Sequence, residues 1–317
     1  MSQTKPDPIL PDIPKGFSLP FYYGAFTNLG IDYLVPKAKA EQLLKDCAPH
    51  AALSVADFDG KACLSLNFQV YYGQFGSGAG VTQEIEFNIV AYPTAAAARV
   101  PKLSYERYAM GEEQTGNLGF CRYRVACDSE PAIAAGVELF GEPKFRADFR
   151  TAIPVPNGTT TEKKEIVWYE TWAVECWTHP EQKPPAKDHQ PTAQEQKPEP
   201  PKLCLKLTAD LLNLPGKTVS AAPFTEFGAR GKGESAKALA APLNVFHPYQ
   251  WYDLSTAQGK ATSEGKARVT LESGGGDTWI TSFVTAVKDT KPAGAWLFQS
   301  PPVAAQNRPY YLPTTAS

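Results

Sequence analysis

Lys144 stands directly after Pro143 in the run DSEPAIAAGVELFGEPKFRADF, residues 128–149. A lysine amine kept uncharged attacks a carbonyl to form an imine, and the protonated imine accepts the electron pair of a breaking bond. Carboxylates move protons around such an adduct, and Glu84 and Glu86 lie two apart in QEIEFNIVA. Gln69, in CLSLNFQVY, offers an amide that hydrogen-bonds without titrating. Arg122 and Arg124, in CRYRVAC, are cations suited to a substrate carboxylate. Each type also has a plainer setting, because a lysine after proline and an arginine on a strand are usually solvated. The chemistry therefore depends on the elements that would bring these side chains into one enclosed place.

Those elements are mostly strands. The patterning predicts them at Ala51–Phe58, Ala62–Tyr72, Thr82–Tyr92, Leu118–Cys127, Ile166–Trp177, Leu203–Leu212, Ala267–Glu272 and Thr278–Ala286. Asp59-Gly60, between the first two, is a hairpin signal because both central positions of the favoured turn need positive φ. Helices are few: Ala38–Cys47, Lys102–Met110, and the segment before Lys144. There Asp128 or Ser129 can cap, Pro131 suits the first turn, and Gly141 and Pro143 are stop signals. The ring of Pro143 fixes its φ, so the stem of Lys144 starts from a placed backbone. Side chains two apart on a strand share a face. Leu64, Leu66, Phe68 and Val70 thus oppose Ser65, Asn67, Gln69 and Tyr71, while Ile85, Phe87 and Ile89 oppose Glu84, Glu86 and Asn88. Such polar faces are wet in an ordinary half-buried sheet; a barrel with a polar interior would enclose them.

EPAIAAGVELFGEPK resembles the active-site segment of the acetoacetate decarboxylase-like family, where a Glu-Pro-Ala-Ile-Ala run leads through Gly-x-Glu-Leu to a Pro-Lys pair. The resemblance implies a mainly β fold of the α+β type, an antiparallel cone-shaped β-barrel with a few helices. It implies Lys144 as the Schiff-base lysine and Glu84 as the carboxylate that orients substrate and moves protons. Gln69 stands where the family has a second glutamate, and Glu86 shares the face of Glu84. Phe26 falls near the place of the family's arginine, for which Arg122 or Arg124 is a substitute. Phe145 replaces a second lysine, so desolvation, or Arg146 folding back, would have to depress the amine's pKa. The C-terminal end of the preceding helix works against that by favouring an ammonium. These departures argue against plain acetoacetate. They leave decarboxylation of another β-keto acid, an aldol-type or dehydration reaction through the same imine, or a barrel that binds a small ligand without turnover.

The 317 residues are 43% hydrophobic and 20% charged, ordinary globular values, and the net charge of −2 gives no reason to expect nucleic acid or an acidic membrane as partner. No apolar run suits a signal peptide or a bilayer span, so a soluble, cytoplasmic protein is expected. A single domain over residues 1–317 is expected, interrupted at 179–202 by a Pro/Lys/Gln/Glu-rich insertion with little to bury, read as a mobile loop. The six cysteines are scattered, which suits reduced thiols. His50, His179, His189 and His247 lack metal-ligand spacing, and Gly76–Gly80 lacks the lysine of a phosphate loop, so neither metal nor cofactor is expected. The aromatic run NVFHPYQWYD is expected to pack the core, with a lesser prospect of lining a pocket. The resemblance implies a keto-acid substrate and a homo-oligomer.

Overall fold

The computed structural model describes residues 9–76, 78–154, 159–160, 166–167, 171–178, 199–219, 221–231, 236–245, 248–300 and 304–312. In chain order the elements that frame the site begin with β1 (Phe21–Pro36), α1 (Lys37–Asp46), β2 (Lys61–Gln74), β3 (Ala79–Pro93), α2 (Tyr105–Ala109) and β4 (Gly119–Cys127). Next come α3 (Glu130–Ala135), β5 (Lys144–Arg146), β6 (Asp148–Ala152), β7 (Thr171–Thr178) and β8 (Lys202–Asp210). The last are β9 (Pro223–Arg230), β10 (Lys237–Val245), β11 (Val269–Ser273), α4 (Thr278–Val287), β12 (Pro292–Ser300) and β13 (Ala304–Gln306). The insertion at 179–202 lies outside the described residues up to 198.

The protein is mostly β, with a large mixed sheet and a separate four-stranded antiparallel sheet. In the large sheet the pairings run from β1 to β2, β3, β4, β9, β10 and β13, and β13 pairs back with β1. The sheet is not antiparallel throughout: β4 pairs parallel with both β9 and β5, within the predominantly antiparallel arrangement expected. Parallel partners need long crossovers, and the one from β4 to β5 contains α3.

The two faces of β2 and β3 meet different neighbours. Leu64, Leu66, Phe68, Ile85, Phe87 and Ile89 join a core with α1, α4 and the second sheet, where Phe68 meets Trp172 and Phe87 meets Phe283 edge-on. The opposite face carries Ser65, Asn67, Gln69, Glu84, Glu86 and Asn88, all buried. That face is therefore not wet. It looks inward, beside a second cluster rich in Phe21, Phe26, Tyr71, Phe75, Phe120, Phe140, Trp296 and Phe298.

Several expectations need correction. Residues 278–287 form a helix rather than a strand: Asp277 accepts from the Ile280 N–H as N-cap, and Ile280, Phe283, Val284 and Val287 make one buried stripe. The β-branched residues of TWITSFVTAV suggest strand propensity, but the spacing of the apolar residues is helical. Asp59 and Gly60 do adopt positive φ, 53° and 83°, yet the turn closes only a Phe58–Lys61 bridge. Leu53–Val55 pairs with β3 instead, because both edges of β2 are taken by β1 and β3. The helix expected at Lys102–Met110 is the shorter α2, with Ser104 as its cap. All six cysteines are free and buried, and among the described residues no helix is long and apolar enough to cross a membrane.

Candidate active site

Lys144 reaches its position through a sequence of local devices. α3 starts with Pro131 in its first turn, then widens over Gly136–Phe140 into a π-turn, a rare geometry often found at functional sites. Gly141 ends it in the left-handed conformation, φ 65°, where a Cβ would stand 2.1 Å from the Ala229 carbonyl oxygen. Only glycine fits there. Pro143 then leads into β5, and Lys144 pairs with Val125. On this extended stretch Glu142 and Lys144, two apart, project to one side. Gly136 makes room for them, since a Cβ there would lie 2.5 Å from Glu142 Oε2 and 2.8 Å from Lys144 Cδ.

The amine projects into a cavity of about 720 Å³, counted out to its mouth and including the open solvent there. Lys144 Nζ lies 2.8 Å from Glu84 Oε2 and 3.1 Å from Glu142 Oε2. Gln69 Nε2 donates to Glu84 at 2.9 Å and to Glu86 at 3.1 Å, and the Tyr71 hydroxyl donates to Glu84 at 3.1 Å. Asn67 Nδ2 and Asn88 Nδ2 donate to Glu86 at 2.9 and 3.3 Å. Arg122 bridges Glu86 and Glu226 through its two terminal nitrogens and faces Glu142 with Nε at 3.7 Å. The remaining wall is aromatic and aliphatic, including Phe21, Phe26, Phe75, Phe140, Phe224, Trp296 and Phe298.

Burial alone would push the Lys144 amine toward neutrality, but Glu142 and Glu84 outweigh it and hold the pKa well above the ordinary lysine value. The resting side chain is an ammonium. This corrects the expectation of a depressed pKa: the pocket is sheltered, yet its carboxylates decide the charge. Arg146 does not help, because it pairs at the surface with Glu130 and Asp148, each at 3.3 Å. Glu84 is lowered despite its burial, owing to Lys144 and Arg122. Glu86 goes the other way, pushed up to about 8 by burial against the pull of Arg122, with Glu84 and Glu226 adding repulsion. Burial likewise lifts Glu226 to about 7.

The fold thus brings Lys144, Glu84, Gln69, Glu86 and Arg122 to one cavity and leaves Arg124 outside it. The cause is a bulge in β4: Arg124 pairs opposite Phe87 while Arg122 pairs opposite Asn88, with Tyr123 skipped between them. Arg124 turns to Asp277 at 2.7 Å and lies 4.0 Å over the ring of Phe145. Phe26 lines the cavity, so no arginine occupies that place. Glu142, Glu226 and Asn28 were not singled out from the sequence. Only Glu142 had a visible signal, its position two before the lysine. Tyr249 and Trp251 line a neighbouring pocket with Asp32, and His247 lies outside the described residues. Among the described residues no cluster of His, Cys, Asp or Glu is arranged to hold a metal.

No family model and no curated protein matches the chain. Solved structures do. The enduracididine biosynthesis enzyme MppR complexed with pyruvate superposes with a TM-score of 0.52 at 9% identity, over 93% of this chain and 91% of that one. The same enzyme complexed with the condensation product of pyruvate and imidazole 4-carboxaldehyde gives 0.51 at 8%, over 93% and 90%. An acetoacetate decarboxylase-like enzyme from Sphingomonas wittichii RW1 gives 0.52 at 13%, over 93% and 92%. The chain shares the fold of the acetoacetate decarboxylase-like enzymes.

Proposed function

We propose that the protein is an imine-forming lyase, in which Lys144 condenses with the carbonyl of a small substrate and the neighbouring carboxylates move the protons. The circuit of strands around the cavity is, on this reading, the cone-shaped barrel of that fold. The observation that carries it is the Lys144 amine, its side chain 7% exposed, set 2.8 Å from Glu84 and 3.1 Å from Glu142 inside a cavity.

Before attack the ammonium must lose a proton. Glu84 and Glu142 are in contact to take it, and Gln69 and Tyr71 hold Glu84 in place. The free amine adds to the carbonyl carbon, and water leaves as the carbinolamine collapses to the iminium. The iminium then draws in the electron pair of a bond to the α-carbon, giving an enamine. Protonation of that carbon and hydrolysis release product and restore Lys144.

Two bonds are candidates for cleavage. Loss of carbon dioxide from a β-keto acid requires a carboxylate to be seated in the pocket, and both cavity cations are already engaged by glutamates. Aldol-type cleavage, condensation or dehydration needs proton transfer and no second cation, and the carboxylate-rich surroundings suit it better. That MppR binds a condensation product of pyruvate and an aldehyde is in keeping with this preference. β-Keto acid decarboxylation is the second reading.

Borohydride reduction in the presence of small ketones and aldehydes tests the amine. A stable adduct on Lys144 is expected, absent from Lys144→Ala, with a trapping rate that rises with pH as the ammonium deprotonates. In Glu142→Gln the profile should move to lower pH, since one of the charges holding the proton is gone. Turnover of β-keto acids to carbon dioxide, against aldol products from a carbonyl panel, separates the two readings. Absence of any adduct on Lys144 with every carbonyl tried would sink both.

A further inference from the structure

Most hydrogen-bond donors of the cavity are turned to its own acceptors; Arg122 Nε is a buried donor without a hydrogen-bond partner. Lys144 is ion-paired with Glu84 and Glu142, and Arg122 donates to Glu86, Glu226 and Asn88. The amide nitrogens of Gln69, Asn67 and Asn88 and the hydroxyl of Tyr71 all point at Glu84 or Glu86. The orientation of Asn28 follows from this chain. Asn67 must present its NH₂ to Glu86, so its oxygen accepts, and Asn28 must offer Nδ2 to that oxygen. Asn28 Oδ1 is left over: it belongs to a fully buried residue lining the cavity, and it has no donor.

The count of ionisable groups leans the same way. Four carboxyl groups, Glu84, Glu86, Glu142 and Glu226, share the cavity with two cations, Lys144 and Arg122, although burial keeps Glu86 and part of Glu226 protonated at neutral pH. Phe26, Phe120, Phe224, Trp296 and Phe298 line the rest, and aromatic rings attract a cation that reaches their faces. An entering carboxylate would find both cations already engaged by glutamates and one orphan donor, Arg122 Nε, which itself faces Glu142 at 3.7 Å. An entering ammonium or guanidinium would find two acceptors that receive no hydrogen bond, Asn28 Oδ1 and Glu142 Oε2, carboxyl groups that outnumber the cations, and an aromatic wall.

We infer that the ligand of this cavity carries a positively charged nitrogen, so that its substrate is an amino- or guanidino-substituted carbonyl compound rather than an anionic keto acid. The carbonyl half of this statement rests on the imine reading above; the preference for a cation does not.

Three benzyl compounds of matched shape and no carbonyl test the preference apart from imine chemistry. Calorimetric titration of the full chain at neutral pH with benzylammonium, benzyl alcohol and benzoate should give an order cation, neutral, anion. Benzylammonium should bind at least about tenfold more tightly than the alcohol, the size of a desolvated cation–π contact helped by a carboxylate. Glu226→Gln and Glu142→Gln, each checked for native folding by circular dichroism, should reduce that ratio. Benzoate binding as well as benzylammonium, no discrimination between cation and alcohol, no detectable benzylammonium binding at millimolar concentration, or an unchanged ratio in both variants would overturn the inference. If the cation preference holds while no adduct forms on Lys144, the imine reading falls and this one stands.

Discussion

Two buried carboxylates in this protein meet opposite fates. Glu84 lies in the cavity beside Lys144 and has its pKa lowered. Asp32 lines the adjoining aromatic pocket, where it accepts from the Tyr105 hydroxyl at 2.9 Å and from Trp296 Nε1 at 3.4 Å, and its pKa is raised. Both are buried. Neutral donors soften the cost of enclosing Asp32 but do not cancel it, whereas at Glu84 the contact with Lys144, helped by Arg122, outweighs burial. Arg122 alone, shared between Glu86 and Glu226, does not do so for them. The two pockets share Phe120, Phe224 and Trp296 as a common wall, so burial is similar on both sides and the presence of a cation makes the difference. The first pocket thereby holds charged groups, and the second is a packed polar inclusion.

Removing a cation should make the first pocket fail where the second does not. Arg122→Met leaves Glu86 and Glu226 without their shared partner, at a cost of about 3–5 kcal/mol. Urea denaturation should show the loss, larger at pH 8 than at pH 5, because protonated glutamates tolerate the loss better. An intermediate effect is expected from pH alone. Glu86 has its folded pKa raised from the ordinary 4.5 to about 8, so the stability it contributes is full below the unfolded pKa and lost as pH rises through the folded one. The melting temperature should fall between those limits, and Glu86→Gln should flatten the fall. An equally steep slope in the variant would remove Glu86 from the account. The smallest effect belongs to Asp32→Asn, an isosteric change whose amide oxygen still accepts from Tyr105 and Trp296. It should alter stability at neutral pH by less than about 1 kcal/mol. A loss as large as that of Arg122→Met would erase the contrast between the pockets.

Much of the site was legible along the chain because its signals are local. The Pro143-Lys144 pair, the glycines around it, and the polar alternation of β2 and β3 depend on neighbours within a few residues. Other parts were hidden for equally physical reasons. The helix at 278–287 was masked by its β-branched residues, and β1, β9, β10 and β12 by weak alternation. Glu226 approaches Arg122 across a parallel pairing of strands over a hundred residues apart, a contact that no spacing rule reports.

Sequence alone determined which residues could share a face, because backbone geometry repeats every two residues along a strand. Tertiary structure decided what that face would meet. It enclosed the polar face, skipped Tyr123 at a bulge so that Arg122 and Arg124 parted, and placed Glu142 and Glu84 around the amine. Whether Lys144 is charged follows from those neighbours, since electrostatic energy depends on distance through space and not on separation along the chain.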